Sequence, residues 1–101
     1  MIALHRGDLW TYQSIARTKT VLVVSADELN AAGLPMCCDV SDVRPTGTRA
    51  MLATTLPGHG YILGRSLTAA DPDRFREFLG AADPAAMDSL GSALAALIGL
   101  D

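Results

Sequence analysis

The sequence has little lysine and few aromatic residues, and it lacks three motifs that identify common enzyme families. Its 101 residues include one lysine, Lys19, and five aromatic side chains. It has no P-loop, no G-x-S-x-G elbow and no His-Glu-x-x-His pair, which are the patterns that hold nucleotide phosphates, a nucleophilic serine and a zinc ion. These absences argue against a P-loop nucleotidase, an α/β-hydrolase and a zinc protease.

The only two cysteines, Cys37 and Cys38, are adjacent, and no Cys-x-x-Cys pattern occurs. Successive residues of a strand point to opposite faces, so a disulfide between these two would be strained. Reduced cysteines are typical of a cytosolic protein. The sequence also has no long apolar leader and no apolar stretch of membrane-spanning length. We therefore expect a soluble, cytoplasmic protein with no membrane contact.

The composition predicts one small globular domain over residues 1–101. Half of the residues are hydrophobic and the net charge is −3, which suits a single modest core and argues against a general nucleic-acid coat protein. A small core of Ala, Leu and Val often gains burial by dimerising, so we expect a homodimer. Residues 1–50 carry five basic and five acidic side chains, and this balance leaves room for a locally basic groove.

The pattern of the chain predicts strands first and helices last. Strands are expected at 7–12, 20–25, 35–41, 50–56 and 60–67, with a turn or short helix at 26–33 and a hairpin around "PGHG". Helices are expected at 71–80 and 83–100, because each begins with an Asp-Pro pair and then places apolar residues at helical spacing. This order indicates a mostly β fold, a curled antiparallel sheet covered on one side by C-terminal helices.

With those motifs absent, the candidate functional groups are cationic and hydroxyl side chains at the ends of the predicted strands. The set consists of Arg17, Lys19, Ser41, Arg44 and Arg49, and such groups suit the binding of a phosphodiester and of the charge that grows on it. Asp39 and Asp42 are three residues apart and so on opposite faces of a strand. We therefore expect neither a carboxylate metal site nor a cofactor.

Five segments in order resemble the MazF/PemK family of toxin endoribonucleases. They are "HRGDLW" (5–10), "KTVLVVSADELN" (19–30), "CDVSDVRP" (38–45), "DPDRF" (71–75) and "MDSLGSALAALIGL" (87–100). Each segment alone is a weak signal, but the ordered set spans nearly the whole chain and is moderately specific.

The resemblance implies a homodimeric SH3-like curled barrel that is the toxin of a toxin–antitoxin system. Such a protein is bound by a cognate antitoxin and cleaves single-stranded mRNA without a metal, by attack of the RNA 2′-hydroxyl on the adjacent phosphate. The family's catalytic Arg and its Thr or Ser correspond to Lys19 and Ser41. Arg17 is a further catalytic candidate because it can supply a guanidinium group. Arg44, Arg49 and His59 are candidates for RNA binding, and His59 is also a candidate acid or base.

Three departures from the family pattern keep an alternative open. Lys19-Thr20 replaces an Arg-Pro pair, the segment before it is short, and Arg65 and Ser66 stand where the family often has Glu-Gln. The alternative is a catalytically impaired relative that acts by binding a protein partner. A gyrase poison of the CcdB type has a similar fold, but that family ends in Trp-Gly-Ile, whereas residues 98–101 read "IGLD".

Overall fold

Six strands form one antiparallel sheet in the computed structural model, which describes residues 3–100. The strands are β1 (Asp8–Gln13), β2 (Thr18–Val23), β3 (Met36–Ser41), β4 (Ala53–Leu56), β5 (Gly60–Ala69) and β6 (Phe75–Ala81). The helices are α1 (Asp27–Ala31) and α2 (Pro84–Leu97), and short 3₁₀ turns occupy Gly47–Ala50 and Pro72–Arg74. The domain proposed from the sequence also takes in residues 1, 2 and 101, which lie outside the described part.

The sheet has the order β4-β5-β3-β2-β1-β6, and every pair of neighbours is antiparallel. The mostly β, curled antiparallel fold expected from the sequence is confirmed. Within residues 3–100, β4 and β6 are the two edge strands and do not pair with each other. The sheet is therefore open rather than a closed barrel.

The two faces of the sheet bury separate apolar clusters. Helix α2 packs on one face, where Leu90 belongs to a buried cluster with Leu22 and Ile62. The opposite face carries a second cluster, built around Trp10 and Phe75. Because strand residues alternate between faces, β2 contributes to both clusters at once, and this explains its nearly continuous apolar sequence.

Helix α2 begins as the sequence predicts. The Asp83 side chain accepts a hydrogen bond from the Ala86 N–H at 3.1 Å, and Pro84 occupies the first helical position. Met87, Leu90 and Leu94 face the core. At 14 residues, α2 is the longest helix, and no helix in the described part of the chain is long and apolar enough to span a membrane.

The helix predicted over 71–80 is wrong. Asp71 does cap a turn, accepting from the Asp73 N–H at 2.9 Å, but the turn ends at Arg74 and strand β6 follows. Residues Phe75–Ala81 pair with the free edge of β1, which satisfies backbone groups that β1 would otherwise expose. Irregularities in this pairing remove strict alternation, so the apolar spacing resembles a helix. In the described part of the chain, α2 is therefore the only α-helix after β5.

Strand β4 is shorter than expected. The sequence predicts a strand over 50–56, but residues Gly47–Ala50 form a 3₁₀ turn and Leu52 adopts a left-handed backbone conformation, with φ 64°. The strand consequently begins at Ala53. The hairpin to β5 around "PGHG" is confirmed, with Leu56 paired to Gly60.

The adjacent cysteines divide between the two clusters. Cys37 packs with the Trp10 cluster and Cys38 with the α2 cluster, and both thiols are free. Burial raises the pKa of Cys37 from 9.0 to about 12 and that of Cys38 to about 11. Neutral, buried thiols are inert. Cys37 and Cys38 are therefore packing residues of the core.

The different environments of Phe75 and Phe78 test the strand assignment of β6. Phe75 is 2% exposed and Phe78 is 54% exposed, whereas a helix would place both on one face. We expect Phe75→Ala to lower the free energy of unfolding by about 3–5 kcal/mol, and the matched Phe78→Ala change to lower it by about 1 kcal/mol. Urea unfolding measures both. Equal losses would contradict a strand here.

The thiol pKa values predict alkaline destabilisation. The unfolded chain loses its thiol protons above pH 9.0, while the folded chain keeps them to about 11 or 12. Unfolding therefore releases protons in this window, and the free energy of unfolding falls as pH rises from about 9 to 12. A Cys37→Ala/Cys38→Ala variant, although less stable overall, should lose less stability across this range. Parallel pH profiles for the two proteins would count against this explanation.

Candidate functional site

A polar cleft of about 360 Å³ opens where β2 begins and β3 ends. It is on the sheet face that also carries the Trp10 cluster. Its lining comprises Arg17, Thr18, Lys19, Thr20, Asp39, Val40, Ser41, Asp42, Arg49, His59 and Leu63. Five of the six site residues predicted from the sequence therefore lie in one cleft.

The register between β2 and β3 brings the central residues together. Thr20 pairs with Val40 and Val21 with Asp39, so continuing the ladder by one residue places Lys19 across from Ser41. Residues two apart on a strand share a face. Lys19, Asp39 and Ser41 consequently project from the same side of the sheet into the cleft.

Lys19 is held in an ion pair. Its Nζ lies 2.9 Å from Asp39 Oδ1, with the two side chains 23% and 33% exposed. The same Nζ lies 6.0 Å from the centre of the Tyr12 ring, which is the range of a cation–π contact. The lysine is thus not a fully solvated strand end, because a carboxylate and an aromatic ring lie close to its ammonium group.

A bulge in β5 fixes the position of Asp39. On β3, Cys37 pairs with Thr68 and Asp39 pairs with Leu63, so Cys38 alone lies opposite four residues of β5. In that gap, Ser66 Oγ accepts the Asp39 N–H at 2.6 Å and donates to the Leu63 carbonyl at 2.6 Å. The Ser66 hydroxyl therefore replaces a missing ladder bond and holds the backbone beneath the carboxylate.

Ser41 is the last residue of β3, and its side chain bonds to the backbone of the loop that follows. Its Oγ accepts the Val43 N–H at 3.1 Å and donates to the Val43 carbonyl at 3.3 Å. The second bond is long for a hydroxyl donor, so the Ser41 proton is available to a better acceptor. Gly60, the first residue of β5, passes so close to the Ser41 carbonyl that a Cβ there would collide with it.

The remaining cations reach the cleft from loops. Arg17 lies in the turn before β2, where its carbonyl accepts the Ser14 N–H at 2.9 Å, and it does not extend the strand. His59 lies in the β4–β5 hairpin and Arg49 in the 3₁₀ turn. All three side chains are exposed, and they surround the Lys19 end of the cleft with positive or titratable groups.

Arg44 is the one predicted site residue outside this cleft. It lines a smaller adjoining recess of about 130 Å³ together with Ser41 and Arg49. A third recess, about 330 Å³, continues from Asp39 and Arg49 to Arg65 and Ser66. Because Arg49 lines all three, the recesses form one continuous cationic surface across the end of the sheet.

The role of Asp39 was not predicted from the sequence. It was considered only as a metal ligand, whereas it is the counterion of Lys19. Within residues 3–100, no group of three or more His, Cys, Asp and Glu side chains is placed to hold a metal ion. The signal available in the sequence was the two-residue period, which puts Asp39 on the same face as Ser41.

The architecture is shared with several solved structures, although no family model and no curated protein matches the sequence. A mycobacterial endoribonuclease in complex with its cognate antitoxin has a TM-score of 0.86 at 23% identity, over 98% of both chains. A MazE–MazF structure from Deinococcus radiodurans has a TM-score of 0.84 at 23% identity, over 100% of both. The chain has the MazF fold.

A further solved structure with lower sequence identity has the same fold. The Mycobacterium tuberculosis toxin MazF-mt6 has a TM-score of 0.73 at 10% identity, covering 93% of this chain and 98% of that one. The family resemblance in the sequence is thus confirmed at the level of the fold. In this chain, the MazF fold presents the cleft of Lys19, Asp39 and Ser41 on the face opposite α2.

The close approach of Gly60 to Ser41 predicts a local effect on the cleft. Gly60→Ala should cost about 1–2 kcal/mol more in the free energy of unfolding than Gly58→Ala, because only Gly60 meets the Ser41 backbone. The two glycines are matched, since both have positive φ, 104° and 82°, and a Cβ at Gly58 meets nothing within 4 Å. Urea unfolding gives the comparison. Equal costs would mean that the contact is readily relieved.

Proposed function

We propose that this protein is the toxin of a toxin–antitoxin system and cleaves single-stranded RNA without a metal ion. The observation that carries the proposal is the cluster of Lys19, Ser41 and Arg17 in one polar cleft of a MazF fold. Solved structures with this fold are described as endoribonucleases and toxins. The proposed site therefore combines the fold with cations and a hydroxyl suited to a phosphodiester.

The proposed reaction is attack by the RNA 2′-oxygen on the adjacent phosphorus. A bond forms between these atoms, the bond to the 5′-oxygen of the next nucleotide breaks, and the products end in a 2′,3′-cyclic phosphate and a 5′-hydroxyl. The proton leaves the 2′-hydroxyl and one is delivered to the departing 5′-oxygen. His59, in the cleft, is the side chain suited to one of these transfers.

Lys19 and Arg17 act on the charge that develops at the phosphate. Lys19 supplies a point charge, whereas Arg17 supplies the planar guanidinium that can hold two phosphate oxygens at once. Ser41 turns its hydroxyl from the Val43 carbonyl to a phosphate oxygen. These donors stabilise the transition state more than the ground state, because the negative charge grows as the 2′-oxygen attacks.

The wider cationic surface binds the RNA strand. Arg49 and Arg44 line the adjoining recesses and are the proposed contacts for phosphates that flank the cleaved one. Phosphate contacts of this kind position a strand without reading its sequence. Trp10 lies in the core and is not available to stack on a base.

The proposed partners are a cognate antitoxin protein and a second copy of the chain. Two of the matching structures are a toxin–antitoxin complex and a MazE–MazF complex, and this chain covers nearly the full length of both. The proposed unit is a single domain over residues 1–101. Because mRNA is the substrate, the proposed location is the cytoplasm.

The endoribonuclease proposal predicts RNA cleavage in the presence of EDTA. The purified protein should cut a mixed-sequence transcript, and Lys19→Ala should slow cutting by about 10²–10³-fold, the usual loss for one charge-stabilising donor. Arg76→Ala is the matched control, because Arg76 is an exposed cation outside the cleft and its loss should leave the rate unchanged. Gel analysis of the transcript measures both rates.

Absence of cutting across a broad transcript pool would contradict the proposal and favour the second candidate function. That candidate is a relative that binds a protein partner without catalysis. The ion pair between Lys19 and Asp39 favours it, because a cation already neutralised is a poorer catalyst. Preserved antitoxin binding together with intact RNA and unaffected growth would be its signature.

A further inference from the structure

The cleft contains its own anion, the Asp39 carboxylate, which contacts Lys19. We propose that Asp39 competes with the RNA phosphate for Lys19, so that RNA engages this cation only by displacing the Asp39 carboxylate. The inference rests on the proposed function for the identity of the ligand. It assigns to Asp39 control over how strongly the cleft holds a phosphodiester.

The geometry of the pair supports direct competition. Lys19 Nζ and Asp39 Oδ1 are 2.9 Å apart, the distance of a charge-assisted hydrogen bond and the same distance that a bound phosphate oxygen would take. Both side chains are two-thirds or more buried, so water screens the pair less than it screens an exposed ion pair. The carboxylate therefore lowers the positive potential that a phosphate would meet.

The backbone of Asp39 cannot move away to relieve this competition. Its strand is central, between β2 and β5, and its N–H donates to Ser66 Oγ at 2.6 Å. Release of Lys19 must therefore occur by rotation of the two side chains. Asp39 remains beside the bound phosphate, where like charge opposes the complex.

The other charged groups of the cleft make the competition selective. Arg17, Arg49 and His59 face the pair from three loops, and Asp42 is the second carboxylate. Among the described residues, Asp39 rather than Asp42 is paired with a cation of the cleft. A ligand that contacts Arg17 and Arg49 as well as Lys19 offsets the loss of the internal pair, so the cleft favours a strand of several phosphates over a mononucleotide.

Binding of an uncleavable strand tests the competition separately from catalysis. The probe is a fluorescent mixed-sequence DNA oligonucleotide, which lacks the 2′-hydroxyl, titrated by anisotropy at several salt concentrations. Asp39→Asn keeps the side-chain shape and removes the charge, and we expect it to tighten binding by about tenfold. The dependence of log K on log salt should steepen by about 0.7, the value for one additional phosphate contact on a single strand.

Two controls separate competition at Lys19 from a general loss of negative charge. Asp42→Asn removes the other carboxylate of the cleft and should tighten binding much less. In a Lys19→Gln background, Asp39→Asn should bring little or no gain, because the cation for which the carboxylate competes is absent. Asp39→Ser, checked for folding by circular dichroism, repeats the test with a second side chain.

Three results would overturn the inference. Equal gains from Asp39→Asn and Asp42→Asn, or an undiminished gain in the Lys19→Gln background, would mean that Asp39 acts only through bulk charge. Weaker binding by Asp39→Asn and Asp39→Ser would mean that the carboxylate positions Lys19 for the phosphate. If no RNA is cut while Asp39→Asn tightens binding, the endoribonuclease proposal fails and the competition stands.

Discussion

Strands β2 and β3 pair with Val21 opposite Asp39, and the cleft depends on this register. A shift of β2 by one residue along β3 would turn Lys19 to the face that carries α2, away from Asp39 and Ser41. The same shift would remove Leu22, which has no exposed surface in the folded chain, from the cluster beneath α2. The apolar core therefore enforces the register that assembles the polar site.

The two ends of one sheet face have different tasks. Toward the end of β2 and the start of β3, Val21, Val23 and Cys37 share a buried cluster with Trp10 and Phe75. Toward the other end of these two strands, the same face carries Lys19, Asp39 and Ser41 beside Arg17. The buried cluster gives the cleft a rigid base, and the loops before β2 and after β3 and β4 supply exposed cations. Functional sites are commonly built in this way, with rigid strands that hold the central side chains and mobile loops that supply the surrounding ones.

The sequence was sufficient for features that depend on local pattern. The buried run of β2, the Asp-Pro start of α2 and the "PGHG" hairpin each carry a signal within a few residues, and each is confirmed. Strand β6 was mistaken for a helix because its state is decided by pairing with β1, far away in the chain. The Lys19–Asp39 pair was missed for the same reason: the partners are on different strands, and only the register brings their charges together. The placement of Arg44 outside the main cleft likewise depends on a loop whose path no local pattern specifies.

In the proposed reaction, RNA is cut by its own 2′-hydroxyl in the cleft of Lys19 and Ser41. Analysis of the new ends of a cleaved RNA, beside the same RNA with a single 2′-deoxy nucleotide at the cut site, tests it most directly. We expect 2′,3′-cyclic phosphate and 5′-hydroxyl ends, and no cleavage at the deoxy position. Ends bearing 5′-phosphate, or cleavage that persists at the deoxy nucleotide, would contradict it.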